Sequence, residues 1–337
     1  MSLMNTDIKK IAIVRLSALG DIVNSAIVIQ FIKHYYPNAA IEWIVEEAFA
    51  PMLRMHPDLQ NISTLTLKKL KKEKSFRLLR ENYVKLKELG NFDIIIDMQG
   101  LLKSAIVSRI VGKNTHGFDK DSIREPLAAL FYKTTSHIGY EENIIKRNCF
   151  VVADALGFEI DDTMILHKEP IFPITQHFTL AKNQKNIAFV VGASWPSKIY
   201  PKEEIVKVCN TLKEQAFIIW GNKREKEDAL WICEHSAYAQ LAPQLSLDAL
   251  ISFVSHMDLL IGNDTGPTHM AWAQNIPSIT LLGPTTTRMI YQTPINIGIK
   301  SPSKVDIFKI NKNDFSIRDI PSTTIVKKAK ELLDARI

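Results

Sequence analysis

Apolar residues in this chain gather in short runs that end in polar or glycine-bearing turns. In the first half the runs occupy residues 11–14 (IAIV), 41–45 and 92–97. A turn over 15–20 follows the first, and then Val23, Ala26, Ile27 and Phe31 recur at helical spacing; a second helical pattern covers 101–111. The second half repeats the grammar, with strand-like runs at 187–191, 217–220, 259–261 and 279–282, most of them followed by a helical pattern. Strands alternating with helices predict parallel sheets covered on both faces. The reading is therefore α/β, with two Rossmann-like, doubly wound domains.

Between the halves, residues 159–184 carry Asp161, Asp162, Pro170 and Pro173 with little helical period, and the linker is placed there. The expected domains are 1–170, 171–315 and a terminal helical segment at 316–337. The last helical pattern, 322–333, puts Ile325, Ala329 and Leu332 on one stripe, which is expected to pack back onto the first domain. A length of 337 residues suits two domains of roughly 150 each. The opening reads Met1-Ser2-Leu3-Met4, and with a second methionine at position 4 the first three residues are set aside from fold reasoning.

Composition narrows the class. Apolar residues make up 46% and charged residues 23%, enough apolar material for two cores and too much for a disordered chain. No uncharged apolar stretch reaches the ~18 residues that cross a bilayer, and the first ten residues lack the apolar centre of a signal peptide, so a cytoplasmic protein is expected. Cys149, Cys209 and Cys233 are odd in number and widely spaced, which argues for buried thiols rather than disulfides or a zinc site. The net charge of +6 suits nucleic acid, an anionic membrane or a phosphorylated substrate. Much of it sits at 67–80, where Lys68, Lys69, Lys71, Lys72, Lys74, Arg77 and Arg80 form a basic surface element. That stretch has no run of interleaved aromatics and no recognition motif, so a nucleic-acid partner is not expected.

Ligands of open α/β sheets bind at the carboxyl ends of strands, so the loops there are the places to look for chemistry. The loop R-L-S-A-L-G-D at 15–21 has only Gly20 and matches neither a dinucleotide fingerprint nor a P-loop. Asp21, at a helix start, suits a general base toward a substrate hydroxyl and equally suits a helix cap. In D-M-Q-G-L-L-K-S at 97–104, Asp97, Gln99 and Lys103 can hydrogen-bond a polyhydroxylated ligand, or the segment is a plain strand-to-helix turn. In G-A-S-W-P-S-K at 192–198, small residues including Ser194 let a phosphate approach and Lys198 can neutralise it, although a loop lysine is usually just solvated. Glu225, in the loop after 217–220, suits the hydroxyls of a ribose or a place in the first turn of a helix.

The run N-D-T-G-P-T-H at 263–269 is the most specific. Asp264 or Thr265 can cap a helix and Pro267 suits an early helical position. The N–H groups of Thr265 and Gly266 then point at an anion, with His269 one turn on. No metal is required; Asp119-Lys120-Asp121 has D-x-D spacing but lies in a charged loop and reads as surface.

Taken in order, R-L-S-A-L-G-D, D-M-Q-G-L-L-K-S and N-D-T-G-P-T-H resemble the heptosyltransferases of glycosyltransferase family 9 through nearly the whole chain. W-I-V-E-E-A-F at 43–49 and the stretch 117–132 look most like the type I branch. The resemblance implies a GT-B fold of two facing domains with a central cleft, acceptor bound mainly by the first and ADP-heptose mainly by the second. It implies inverting, metal-independent transfer of L-glycero-D-manno-heptose from ADP-heptose to the first Kdo of Kdo2-lipid A in the lipopolysaccharide inner core. It puts the base on Asp21, with Gly20 beside it, an acceptor-side arginine on Arg124 and the phosphate-binding lysine on Lys198. The ADP-binding helix start falls on Asp264, Thr265, Gly266 and His269, and the ribose acid on Glu225 or a neighbour in N-K-R-E-K-E. The basic stretch, Lys68 and Lys69 included, has a family counterpart that engages the acceptor. The family also implies a monomer working at the cytoplasmic face of the inner membrane, in peripheral contact with its anionic leaflet and with no cofactor beyond the sugar nucleotide. A type II or III enzyme would share the donor and differ in acceptor, and a sugar-nucleotide epimerase would share the two-domain layout.

Overall fold

Residues 11–14 are apolar without a break and have no exposed surface, the signature of a central strand buried on both faces. A computed structural model of the protein describes residues 8–335 and divides the chain into two compact units, Met1–Ile171 and Phe172–Ile337. Residues 1–3, set aside above, lie outside the described residues.

The first unit carries β1 (Lys10–Val14), β2 (Ala40–Glu46), β3 (Asn61–Leu65), β4 (Ile94–Asp97), β5 (Thr115–Phe118) and β6 (Thr134–Ser136). They form one parallel sheet in the order β3-β2-β1-β4-β5-β6. Its helices are α1 (Leu19–Ser25), α2 (Val28–Tyr35), α3 (Leu67–Glu73), α4 (Phe76–Glu88), α5 (Leu102–Val111), α6 (Ile144–Leu156) and α7 (Asp162–Leu166). Helix α6 packs with α1 and α2, while α4 packs with α5 and α5 with the 3-10 turn Pro126–Phe131. Leu86 of α4 and Val107 and Val111 of α5 close one core with Ala12, Val14 and Ile95 of the sheet.

The second unit carries β7 (Asn186–Val190), β8 (Gln215–Ile219), β9 (Ala239–Leu241), β10 (Leu259–Asn263), β11 (Ser278–Leu282) and β12 (Asn296–Lys300). Their order, β12-β11-β10-β7-β8-β9, is again all parallel. Its helices are α8 (Lys202–Leu212), α9 (Lys223–His235), α10 (Leu247–Ser255), α11 (Gly266–Ala273) and α12 (Ser322–Asp334). In both sheets the strand order reverses at the first strand of the unit, between β1 and β4 and between β7 and β10. Loops that leave those neighbouring strands diverge, and the crevice so made is where such sheets bind ligands.

Two features depart from the sequence reading. Strands β3, β5, β6, β9 and β12 were not anticipated, because they are short, lie toward the sheet edges and include polar sequences such as NISTL and TTS. The linker region holds a real helix, α7, capped by Asp161, whose carboxylate accepts from the Met164 N–H at 2.7 Å. Helix α12 contributes to the core of the second unit, where Ile325, Ala329, Leu332 and Leu333 pack with Ile187, Leu259 and Ile279. The Tyr200 hydroxyl fixes the approach to this helix by donating to the Ile320 carbonyl at 2.7 Å. The three cysteines are free thiols; Cys149 and Cys209 are buried, and burial pushes Cys209 up to about 12, whereas Cys233 is only half-buried.

Ile325→Ala is expected to remove about 2–5 kcal/mol by opening a cavity under α12. Native-state hydrogen exchange would read this as faster exchange in β7, β10 and β11, with β1 and β4 unchanged. Equal acceleration in β1 would contradict the assignment of α12 to the second unit.

Candidate active site

In the first unit the site is built on the loops after β1 and β4. Arg15 leaves β1 buried, donates to the Met98 carbonyl and meets Asp21 at 3.1 Å. Asp21 is the third residue of α1 rather than its N-cap, which is Ala18; its carboxylate accepts from the Ala18 N–H at 3.2 Å. Held from two sides, its side chain keeps 30% exposure. Gly20 precedes it, half-buried. Gln99 ties the two loops together, accepting from the Leu16 N–H at 2.9 Å and donating to Ser17 Oγ at 3.4 Å. Lys103 reaches the same hydroxyl at 3.0 Å. Partial burial lowers the Lys103 pKa; Lys68 and Arg15 push the same way, while Glu46 and Glu125 oppose. Those charges therefore surround Lys103.

Exposure decides which acid can meet a substrate. Asp97, expected to bind acceptor, has none. Its carboxylate accepts from the Tyr132 hydroxyl at 2.7 Å and from the N–H groups of Gln99 at 2.8 Å and Gly100 at 3.3 Å. Burial raises its pKa against the pull of those donors. Asp97 thus holds the 97–104 turn instead of reaching a ligand. The turn needs Gly100, which has φ +65° and would drive a Cβ to 2.5 Å from Ile123. Glu46 and Glu125 are likewise engaged: Glu46 accepts from the N–H of Leu67 (3.2 Å) and Lys68 (2.9 Å), and Glu125 from that of Leu102 (2.7 Å). Lys68 lies 4.6 Å from the Phe49 ring centroid, whereas Lys69 and Arg124 are exposed.

In the second unit the loops after β7 and β10 converge on a buried charge cluster. Lys198 Nζ lies 2.7 Å from one oxygen of Asp264, and His269 Nε2 lies 3.1 Å from the other. The three side chains are 9%, 2% and 6% exposed. Burial alone raises the Asp264 pKa, but Lys198 and His269 outweigh it and hold the carboxyl well below the usual carboxylate range. Asp264 is therefore a charge clamp rather than the helix cap; Thr265 takes the N-cap position, with no cap bond from its hydroxyl. Pro267 sits in the first turn and has no N–H, while the N–H groups of Thr268 and His269 donate to the Thr265 carbonyl at 3.1 and 3.2 Å. The Asn263 amide was not singled out from sequence and is central: it donates to the carbonyls of Val191 (3.1 Å) and Gly192 (3.2 Å) and accepts from the Tyr200 N–H (3.0 Å). This binds the Lys198 loop to the end of β10. Only its place at a strand end could have signalled it.

Ser194 is exposed in the same loop. Glu225 is engaged at the start of α9, accepting from the N–H of Gly221 (2.7 Å) and the Asn222 side-chain amide (2.6 Å), while the Asn222 side chain caps the helix by accepting from the Glu225 N–H (3.1 Å). The Glu225 carboxylate also lies over Gly192, where a Cβ would come within 2.3 Å of it. Of the D-x-D acids, Asp119 accepts from the Ser122 N–H at 2.9 Å and pairs with His137 at 2.7 Å. Among the described residues no three His, Cys, Asp or Glu side chains are grouped to hold a metal ion.

Asp264's folded pKa lies below its ordinary 3.8, so the stability it contributes is complete above that value and is lost as pH falls toward the folded one. Lys198→Met strands a buried carboxylate and is expected to cost about 3–5 kcal/mol near neutral pH. The gap to the unsubstituted protein should narrow in acid, where protonation neutralises the stranded group. Urea denaturation across pH measures it, and a gap independent of pH would refute the clamp.

Residues 84–301 match the pattern of glycosyltransferase family 9 (heptosyltransferase). Lipopolysaccharide heptosyltransferase 1 of Campylobacter coli is 40% identical over 96% of this chain and 98% of its own length. The protein of the same name from Escherichia coli K12 is 28% identical over 83% and 90%. Among solved structures, E. coli heptosyltransferase WaaC with ADP superposes with a TM-score of 0.80 at 23% identity, covering 96% of this chain and 99% of that one. A family 9 glycosyltransferase from Veillonella parvula also reaches 0.80, at 18% identity over 99% and 98%. The fold is GT-B, and with the family pattern spanning most of its length the chain belongs to glycosyltransferase family 9, the heptosyltransferases.

Proposed function

We propose that the protein transfers L-glycero-D-manno-heptose from ADP-heptose to the first Kdo of Kdo2-lipid A, with inversion and without a metal ion. The observation that carries the reading is the division of labour at the two switch points: a partly exposed, doubly anchored carboxylate in the first unit and a buried cation beside a helix start in the second. The named relatives support the sugar and the pathway. E. coli heptosyltransferase WaaC has also been solved with ADP-2-deoxy-2-fluoro heptose, and superposes with a TM-score of 0.78 at 23% identity, covering 96% of this chain and 99% of that one.

In a single displacement the acceptor oxygen bonds to the anomeric carbon as the bond from that carbon to the ADP oxygen breaks. The hydroxyl proton goes to Asp21, and Arg15 and the Ala18 N–H fix where the carboxylate points. Gln99 and Lys103 hold the Ser17 loop and offer donors to the acceptor, joined by Arg124, Lys68 and Lys69. Negative charge grows on the departing ADP. The Lys198 ammonium has three N–H donors and Asp264 takes one, so two remain for phosphate oxygens. The amides of Thr265 and Gly266 add the positive end of the helix dipole. Ser194 lies in the same loop, and Glu225 is the carboxylate placed to meet a ribose. The protein acts as a monomer at the cytoplasmic face of the inner membrane; among the described residues no helix is long and apolar enough to cross one.

Mass spectrometry of Kdo2-lipid A incubated with ADP-heptose should show one heptose increment, and its absence would sink the proposal. Asp21→Ala should lower turnover by about 10²–10⁴-fold with ADP affinity nearly intact. Wild-type turnover would remove Asp21 from the mechanism. Excess EDTA should leave the rate unchanged, and a loss restored by a divalent ion would disprove metal independence.

A further inference from the structure

Strand β12 lies at a sheet edge, yet the chain that leaves it returns across the carboxyl end of the second unit's sheet. Ser301 donates to the Gly283 carbonyl at 3.4 Å and meets the Ser316 hydroxyl at 2.8 Å. Beyond it the 3-10 turn Ser316–Asp319 packs on the 3-10 turn Pro196–Lys198. The buried Ile317 sits against Gly283, where a Cβ would come within 2.7 Å of it. The residues just before are pinned as well. Asn311 accepts from the Asn313 N–H at 3.0 Å, and the Asp314 carboxylate accepts from the Ser303 hydroxyl at 2.5 Å and the Ser316 N–H at 3.0 Å.

That short turn carries Lys312, an exposed side chain that the sequence did not single out. Its ammonium lies 5.2 Å from the centroid of the Trp195 ring, and the Lys198 ammonium lies 5.1 Å from the same centroid. Among the described residues Lys312 pairs with no carboxylate; Asp314, in the same turn, is engaged by Ser303 and Ser316. Two like charges gathered at one indole repel, and an anion in reach of both relieves that repulsion. The Lys198 loop shows a second sign of a ligand. Its Trp195 indole N–H and Ser197 hydroxyl are buried without hydrogen-bond partners, which native loops tolerate where a ligand completes them.

We propose that Lys312 is a second cation for the diphosphate of the nucleotide donor, one phosphate meeting Lys198 and the other meeting Lys312 beside Trp195. The need is electrostatic. Lys198 faces Asp264 at 2.7 Å, so their charges largely cancel at a ligand's distance, while a departing ADP gains negative charge. Lys312 supplies a charge that no carboxylate offsets, and its flexible stem lets the ammonium follow the phosphate. The proposal rests on the reading of ADP-heptose as donor and adds a group to its site.

Isothermal titration with ADP and steady-state kinetics with ADP-heptose test it. Lys312→Ala should raise the Kd for ADP and the KM for ADP-heptose about tenfold or more. Lys312→Arg, which keeps the charge, should restore most of the affinity. Lys309→Ala, at an exposed lysine of the same connection, should change neither constant. A Kd for ADP indifferent to Lys312→Ala, a Lys312→Arg variant as weak as Lys312→Ala, or an equal loss from Lys309→Ala would overturn the proposal. Lys312-dependent ADP binding without transfer to Kdo2-lipid A would leave the site standing and sink the heptosyl reading. Transfer with ADP binding indifferent to Lys312 would do the reverse.

Discussion

A carboxylate buried at the carboxyl edge of a parallel sheet must be answered, and each unit of this protein has one at the corresponding place. Asp97 ends β4, the neighbour of β1, and Asp264 follows β10, the neighbour of β7. Both are essentially without exposed surface, and they are stabilised in opposite ways. Burial raises the pKa of Asp97, which is surrounded by neutral donors from Tyr132, Gln99 and Gly100. Lys198 and His269 hold Asp264 anionic. The first solution builds a firmly held turn. The second places the buried Lys198 and Asp264 side chains in contact near the start of a helix.

Much else follows from keeping these two turns in place. Gln99 crosses to Leu16 and Ser17, so the loop that carries Asp21 is positioned by the turn that Asp97 holds. Asn263 crosses to the 191–192 carbonyls and to Tyr200, and so fixes the loop that carries Lys198. Small residues permit the close approaches. Gly192 leaves room for the Glu225 carboxylate, and Gly262 for the Thr268 hydroxyl, where a Cβ would come within 2.5 Å of Oγ1. The side chains proposed for the site sit on strand ends and helix starts rather than on long loops, where packing holds them in place.

The expectations that matched the structure came from local signals. The runs at 11–14, 187–191 and 279–282 are dense in apolar residues, and they fall on β1, β7 and β11. The N-D-T-G-P-T-H run lies at a strand-to-helix junction because strand, small residue and early proline are all written within seven positions. Short strands such as β6 and β9 escaped because three half-exposed residues carry no period to detect. The apolar stripe of the terminal helix specified that the helix packs, and the structure adds that its inner face lies in the second unit's core.

The sequence by itself determined the α/β alternation and the positions of the strand-end loops with their polar groups, since these depend on neighbours along the chain. Tertiary structure alone decided which groups are available. Lys198 and Asp264 meet across 66 residues and Arg15 and Met98 across 83, and no local period encodes such pairs. Burial then separated acids that look alike on paper: Asp97 and Asp264 became structural charges, and Asp21 kept access to solvent. A carboxylate's role follows from its solvation and partners, and those exist only once the sheet has formed.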